Sequence, residues 1–230
     1  MQFRFSYTLN KAKTARRYDL PVGELPEPQY NISPGQTVLT LTEQPVRKLT
    51  EMTWGIAENL LKEPETLVDV SRLTRKPFLR TLLVEKRCLV LADGFYIWRK
   101  ISRKSLVPYR VALRWNLPFT FAGIWHERID EETGEIFRNC AILGMPPENF
   151  LQGIVPQIPI MLAVEAENQW LSEDLTNEAV YKLLKPYPAT ALRMFPVSSN
   201  INNPHFNAPE LLKPNQETTD QFGNFVLFAE

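Results

Sequence analysis

This 230-residue chain has only two histidines and two cysteines, and the spacing of its reactive side chains limits what they can do. Arg87–Trp98 reads RCLVLADGFYIW: an apolar strand, an Ala-Asp-Gly turn and an aromatic strand ending in Trp. Asp93 is the one carboxylate in it, and Ile97 can neither move a proton nor carry charge. The two cysteines, Cys88 and Cys140, each lie inside an apolar run and read as buried free thiols rather than a disulfide. Ser198, His205 and Asp93 have the side-chain types of a hydrolytic triad, but no nucleophile elbow surrounds the serine. His205, in the polar stretch Asn202–Asn207, and His126, after a strand-end Trp, therefore read as solvent-facing. No His, Cys and carboxylate cluster has ligand spacing, so neither a metal nor another cofactor is expected. Gly94 and Gly123 are isolated, and there is no glycine-rich phosphate loop.

The elements that must position these residues are short. The chain has 19 Pro and 9 Gly, which disfavours long helices and a helical bundle. Strands are expected over Gln2–Tyr7, Val38–Leu41, Met52–Ile56, Cys88–Leu91, Phe95–Arg99, Tyr109–Leu113, Phe119–Trp125, Phe137–Leu143, Ile158–Leu162, Ala191–Val197 and Phe225–Phe228. Short helices are expected over Asn10–Tyr18, Thr74–Val84, Pro147–Gly153, Glu165–Leu171 and Glu178–Leu184. Asp93-Gly94 is a hairpin signal, Asn116-Leu117-Pro118 a turn, and Tyr30–Gly35 a turn at its Pro-Gly. The expectation is an α+β fold: a strongly bent, barrel-like antiparallel sheet with short peripheral helices. It is read as one domain over residues 1–230, of which 215–230 form a polar stretch and a final strand.

Composition bounds the function. At 44% hydrophobic and 11% aromatic, the chain can bury a sizeable core. Lys+Arg and Asp+Glu both total 26, so no whole-molecule field draws in nucleic acid, although a local basic groove is open. No apolar run suits a membrane span or a secretion signal, and a cytoplasmic protein is expected.

Read in order, several segments resemble the SOS response-associated peptidase (SRAP) family, which recognises abasic sites in single-stranded DNA. They are YNISPG at Tyr30–Gly35, TWG at Thr53–Gly55, RKPFLR at Arg75–Arg80, RCLVLADGFYIW at Arg87–Trp98 and FAGIW at Phe121–Trp125. QIPIML at Gln157–Leu162 and PVSSNINNPHFNAPELLKP at Pro196–Pro214 follow. The resemblance implies the family's fold. It also implies a site where an N-terminal cysteine, freed of its Met, closes a thiazolidine with the sugar aldehyde. An Asn-Ala-Arg motif holds the lesion and its phosphate, and a glutamate and a histidine move protons.

Those positions are occupied differently here. The family's cysteine falls on Gln2, its asparagine on Leu67, the motif's arginine on Asp69, the glutamate on Ile97 and the histidine on Val155. None of Gln2, Leu67, Ile97 and Val155 is a nucleophile or proton carrier at neutral pH, so no catalytic residue is assigned. The pattern reads as a former active site refilled as core. Arg4, Asn31, Trp54, Arg72 and Arg80 are the DNA-contacting candidates, with Trp54 as a stacking platform. The plainer reading is a solvated basic surface and a core Trp, and Asp69 favours it because its charge repels phosphate. Three functions stay open: an inactive homologue that binds single-stranded or junction DNA, or a protein partner; a weak Schiff-base lyase through the Met1 amine; and an interaction module without DNA.

Overall fold

Short apolar runs separated by prolines produce short strands, and the chain reverses often. The computed structural model describes residues 3–8, 10–19, 25–43, 47–58, 62–103, 105–148 and 151–215. The first half holds β1 (Arg4–Tyr7), α1 (Lys11–Tyr18), β2 (Gln29–Ile32), β3 (Thr37–Thr42), β4 (Lys48–Trp54), β5 (Leu67–Asp69) and α2 (Pro77–Glu85). Then come β6 (Arg87–Ala92), β7 (Gly94–Lys100), β8 (Leu106–Leu113), β9 (Phe119–Ile129) and β10 (Ile136–Met145). The last are β11 (Ile158–Pro159), β12 (Met161–Leu162), α3 (Val164–Leu171), α4 (Asn177–Leu183) and β13 (Leu192–Pro196). The expected strands and helices are present at most places. Within Pro147–Gly153, however, the described residues form no helix; 151–154 is a turn. Tyr30–Gly35 begins as strand β2 before it turns. Phe225–Phe228 lies outside the described residues.

A five-stranded sheet runs β13-β8-β7-β1-β2, antiparallel throughout. A second sheet runs β11-β10-β4-β3-β6-β9-β12, with β5 also on β10. It is mixed, because β10 lies parallel to β4 and β5. The two sheets share one core. Phe5, Phe95, Ile97, Tyr109 and Val111 of the first meet Leu41, Met52, Trp54, Leu89 and Phe121 of the second. Burying each large apolar side chain contributes roughly 1.5–3 kcal/mol. The other face of the first sheet carries Arg4, Tyr96, Trp98, Arg110, Phe195 and Arg193, because cross-strand partners share a face. The stretch after β13 covers part of it through Val197, Ile201 and Leu211.

Asp93-Gly94 does not make a hairpin. β6 and β7 lie in different sheets, and the two residues carry the chain across. Asp93 is held by three residues, from β1, the position just after it, and β8. Its carboxylate accepts from Ser6 Oγ at 2.5 Å, Thr8 N at 2.9 Å, Thr8 Oγ1, and Arg110 Nη2 at 3.0 Å. Gly94 is needed for a packing reason, since a Cβ there would stand 2.4 Å from the Arg110 guanidinium. A long-range ion pair thus overrides a local turn signal. The Asn116–Pro118 turn likewise passes the chain from β8 to β9 in the other sheet.

Arg87 joins helices to sheet. Its buried guanidinium donates to the Leu83 and Val84 carbonyls at the end of α2, both at 2.7 Å. It also donates to the Trp170 carbonyl at 2.7 Å and the Ser172 carbonyl at 2.5 Å at the end of α3. One cation thereby satisfies orphan carbonyls at two helix C-termini, where the dipole favours positive charge. Among the described residues no helix is long and apolar enough to cross a membrane.

Candidate functional site

An open cleft of about 370 Å3 lies where β1 starts, where β7 runs outward and where the turn at 151–157 returns to the sheet. Its described lining includes Phe3, Leu67, Ile97, Trp98, Leu106 and Val155. The structure therefore brings together Leu67, Ile97 and Val155, three positions far apart in sequence. The fourth, Gln2, lies outside the described residues. Each has a local reason to be there. Ile97 alternates with Tyr96 and Trp98 along β7 and points into the shared core, 4% exposed. Leu67 opens β5 opposite Ile142, and its side chain lies over Gly144, where an added Cβ would come within 2.8 Å of Leu67 Cγ. Val155 follows a tight turn whose Ile154 N donates to the Leu151 carbonyl at 3.0 Å.

The cleft is lined by apolar groups but not filled by them, which corrects the expectation of a site refilled as core. Ile97 is buried, whereas Leu67 and Val155 are only half-buried. β5 belongs to one sheet and β7 to the other, so the cleft opens where the two sheets part. The described lining contains no carboxylate, imidazole, amine or thiol. Its one titratable group, Tyr96, donates its hydroxyl to the Tyr30 carbonyl at 2.8 Å, and burial pushes its pKa up to about 12. Such a cleft can hold an apolar surface or a ring; its described side chains cannot exchange protons near neutral pH.

The rim is rebuilt as well. Asp69 Oδ1 accepts from Ser71 N at 2.7 Å and starts the 3-10 turn Val70–Arg72. Its Oδ2 accepts from Gln157 Nε2 at 2.5 Å. The bond to Ser71 leads the effects that hold the Asp69 carboxyl below its usual range, so the rim carries a negative charge. Nothing local in the sequence announces the Asp69–Gln157 contact, which spans 88 positions.

The DNA-contacting candidates fall into different settings. Arg4 and Asn31 meet: Arg4 Nη1 donates to Asn31 Oδ1 at 3.2 Å and to the Ile201 carbonyl. Asn31 Nδ2 donates to the Asn203 and Phe206 carbonyls, both at 2.9 Å. The pair fastens the 201–206 turn to the first sheet. Arg72 forms a two-point ion pair with Glu65, which Lys76 also approaches at 3.2 Å. Arg80 is exposed on α2. Trp54 is 0% exposed, donates Nε1 to the Thr66 carbonyl at 2.9 Å, and packs against the rings of Phe3 and Phe5. It therefore offers no free face to a base, and the core reading of Trp54 is the correct one.

Other candidate nucleophiles are spent or buried. Cys88 and Cys140 are fully buried free thiols, and burial raises both above the ordinary thiol range. Asp93, Ser198 and His205 share no hydrogen bond: Asp93 binds Arg110, Ser198 Oγ accepts from Asn200 N, and His205 is exposed. Among the described residues no three His, Cys, Asp or Glu side chains converge as a metal site.

A profile of the family described as SOS response associated peptidase (SRAP) matches residues 1–204. The chain is 32% identical over 201 residues to the abasic site processing protein YoqW of Bacillus subtilis, covering 84% of this chain and 89% of that one. It is 26% identical over 220 residues to the abasic site processing protein YedK of Escherichia coli, covering 93% and 96%. A crystal structure of a protein from Bacteroides thetaiotaomicron superposes with a TM-score of 0.79 at 21% identity, covering 93% of this chain and all of that one. At that identity the likeness shows the fold alone.

Proposed function

The chain belongs to the SOS response associated peptidase family, and from that premise we propose that it has given up the family's covalent capture of abasic sites while keeping a non-covalent hold on single-stranded DNA or a protein partner. One observation carries this reading. Leu67, Ile97 and Val155, which the resemblance sets against the family's asparagine, glutamate and histidine, line one cleft whose described residues include no group that titrates near neutral pH. Without an acid or base, closure and reversal of an imine at an aldehyde lose roughly 100- to 10,000-fold. No thiol replaces the missing one, because both cysteines of the chain are buried and their thiols resist ionisation. The Asp69–Gln157 bond puts a carboxylate at the rim, which weakens a phosphate contact there rather than making one.

The test is incubation with abasic single-stranded DNA followed by denaturing electrophoresis, with and without borohydride. An N-terminal-cysteine family member serves as positive control. No shifted band is expected in either arm. A band without borohydride overturns the proposal outright. A band only with borohydride, abolished by N-terminal acetylation, overturns it in favour of a lyase acting through the terminal amine. Fluorescence anisotropy at two salt concentrations then separates DNA from a protein partner: affinity that falls with salt marks phosphate contacts.

A further inference from the structure

The chain has five tryptophans. Trp54 and Trp170 are 0% exposed, Trp125 7% and Trp98 8%, but Trp115 is 71% exposed. It projects from the crossing between β8 and β9, and the crossing is fixed on several sides. Asn116 adopts a left-handed backbone with φ 52°, and its N donates to the Leu113 carbonyl at 3.1 Å. Arg193 donates to Asn116 Oδ1, Arg114 N to the Ala191 carbonyl at 2.9 Å, and Arg17 Nη1 to the Pro118 carbonyl at 2.7 Å. An indole held out by a pinned loop has little freedom left to lose on stacking.

The charges around it are unevenly matched. Arg17 is paired with Glu167 at 2.6 Å. Among the described residues Arg114 and Arg193 form no ion pair; Arg114 Nε donates to the Thr190 carbonyl at 2.7 Å, and Arg193 to Asn116. Beside the loop opens a second cleft, of about 390 Å3, lined by Asn10, Asn116, Arg110 and Arg193 among others. Asp93 also lines it, but that carboxylate is committed to Arg110, Ser6 and Thr8. The opposite pole is acidic. β9 runs 11 residues from this loop, roughly 35 Å, to a hairpin tip holding Asp130, Glu131, Glu132 and Glu135.

We propose that the Trp115 loop is a site for an unpaired nucleic-acid strand, with one base stacked on Trp115 and the flanking phosphates on Arg114 and Arg193. An exposed aromatic between guanidinium groups that lack carboxylate partners is the chemistry such strands require. The site lies at the other end of the five-stranded sheet from the Leu67–Ile97–Val155 cleft, and it does not depend on that cleft's function.

The experiment is a titration of the full chain with ten-nucleotide oligothymidylate and oligouridylate, reading intrinsic tryptophan fluorescence and, separately, anisotropy of labelled strands. Trp115 quenching is expected. Affinity falls with salt between about 50 and 200 mM, and Trp115→Ala weakens it roughly 5- to 150-fold with an unchanged melting temperature. Trp115→Phe restores most of the loss. Arg114→Ser and Arg193→Ser each reduce the log–log salt slope by about 0.7. Tighter binding by one strand assigns DNA or RNA. Absence of binding, binding without quenching, or affinity indifferent to Trp115→Ala overturns the proposal. Affinity lost instead on Ile97→Glu places the strand in the other cleft and leaves the preceding section's reading intact.

Discussion

The start and the middle of β7 handle polarity in opposite ways. At its start, the carboxylate of Asp93 is 7% exposed and fully occupied by Ser6, Thr8 and Arg110. Three residues into the strand, Ile97 faces the apolar cleft. Both places could hold a carboxylate; one does. The charge stands where protein groups complete its hydrogen bonds, so the fold itself rewards it. In the cleft the described lining is mostly apolar, and of its polar side chains Tyr96 and Gln157 already donate to Tyr30 and Asp69, which leaves a carboxylate few partners. Charge there has value only if a ligand uses it. Where no ligand uses it, an apolar side chain is the more stable choice.

The largest expected effect tests the Asp93 end. Asp93→Ala strands the Arg110 guanidinium, which is 4% exposed, and should cost about 3–5 kcal/mol by denaturant unfolding. A loss below about 1 kcal/mol breaks the contrast. Next is Ile97→Glu, expected to cost about 2–3 kcal/mol at neutral pH. Burial would raise the new carboxyl's pKa, so the deficit should shrink as pH falls below the raised value. A variant as stable as the parent at pH 7 would mean that the cleft still solvates charge.

Glu167 offers a native version of that pH test. It is 5% exposed, and burial outweighs its contacts with Arg17 at 2.6 Å and Thr120 at 2.8 Å, so its pKa is raised. A raised folded pKa favours the fold when the group is protonated. The stability of the parent relative to Glu167→Gln should therefore increase as pH falls from 7 toward the ordinary carboxylate range, and decrease as pH rises through the raised value. A difference flat with pH would contradict the burial effect. The smallest effects belong to Leu67→Asn and Val155→His. Both sites are half-buried, and each change should cost about 1 kcal/mol or less in thermal unfolding. A loss as large as that of Ile97→Glu would show these positions to be core after all.

Much of the fold was legible in short-range pattern. Alternation marked β1, short apolar runs marked β3 and β8, proline spacing kept helices short, and the apolar settings of Cys88 and Cys140 foretold two buried thiols. Asp93-Gly94 misled because its turn chemistry is real but weaker than an ion pair with a residue 17 positions away. Pro147–Gly153 misled because its leading proline and closing glycine suit a turn as well as a short helix. Trp54 and Trp115 show the limit most clearly. Both are tryptophans near polar neighbours, and sequence alone selected the buried one.

The linear order of residues determined the family, through ordered segments from Tyr30–Gly35 to Pro196–Pro214, and it determined that Leu67, Ile97 and Val155 carry no titratable group, because side-chain type sets acid–base capacity wherever the residue lies. Only the tertiary structure decided that Leu67, Ile97 and Val155 share one open cleft, that Asp69 is held by Gln157, and that Trp115 alone of the tryptophans faces solvent. Those outcomes depend on which strands pair and where the chain changes sheets. Contacts between residues dozens of positions apart govern both, and no local pattern encodes them.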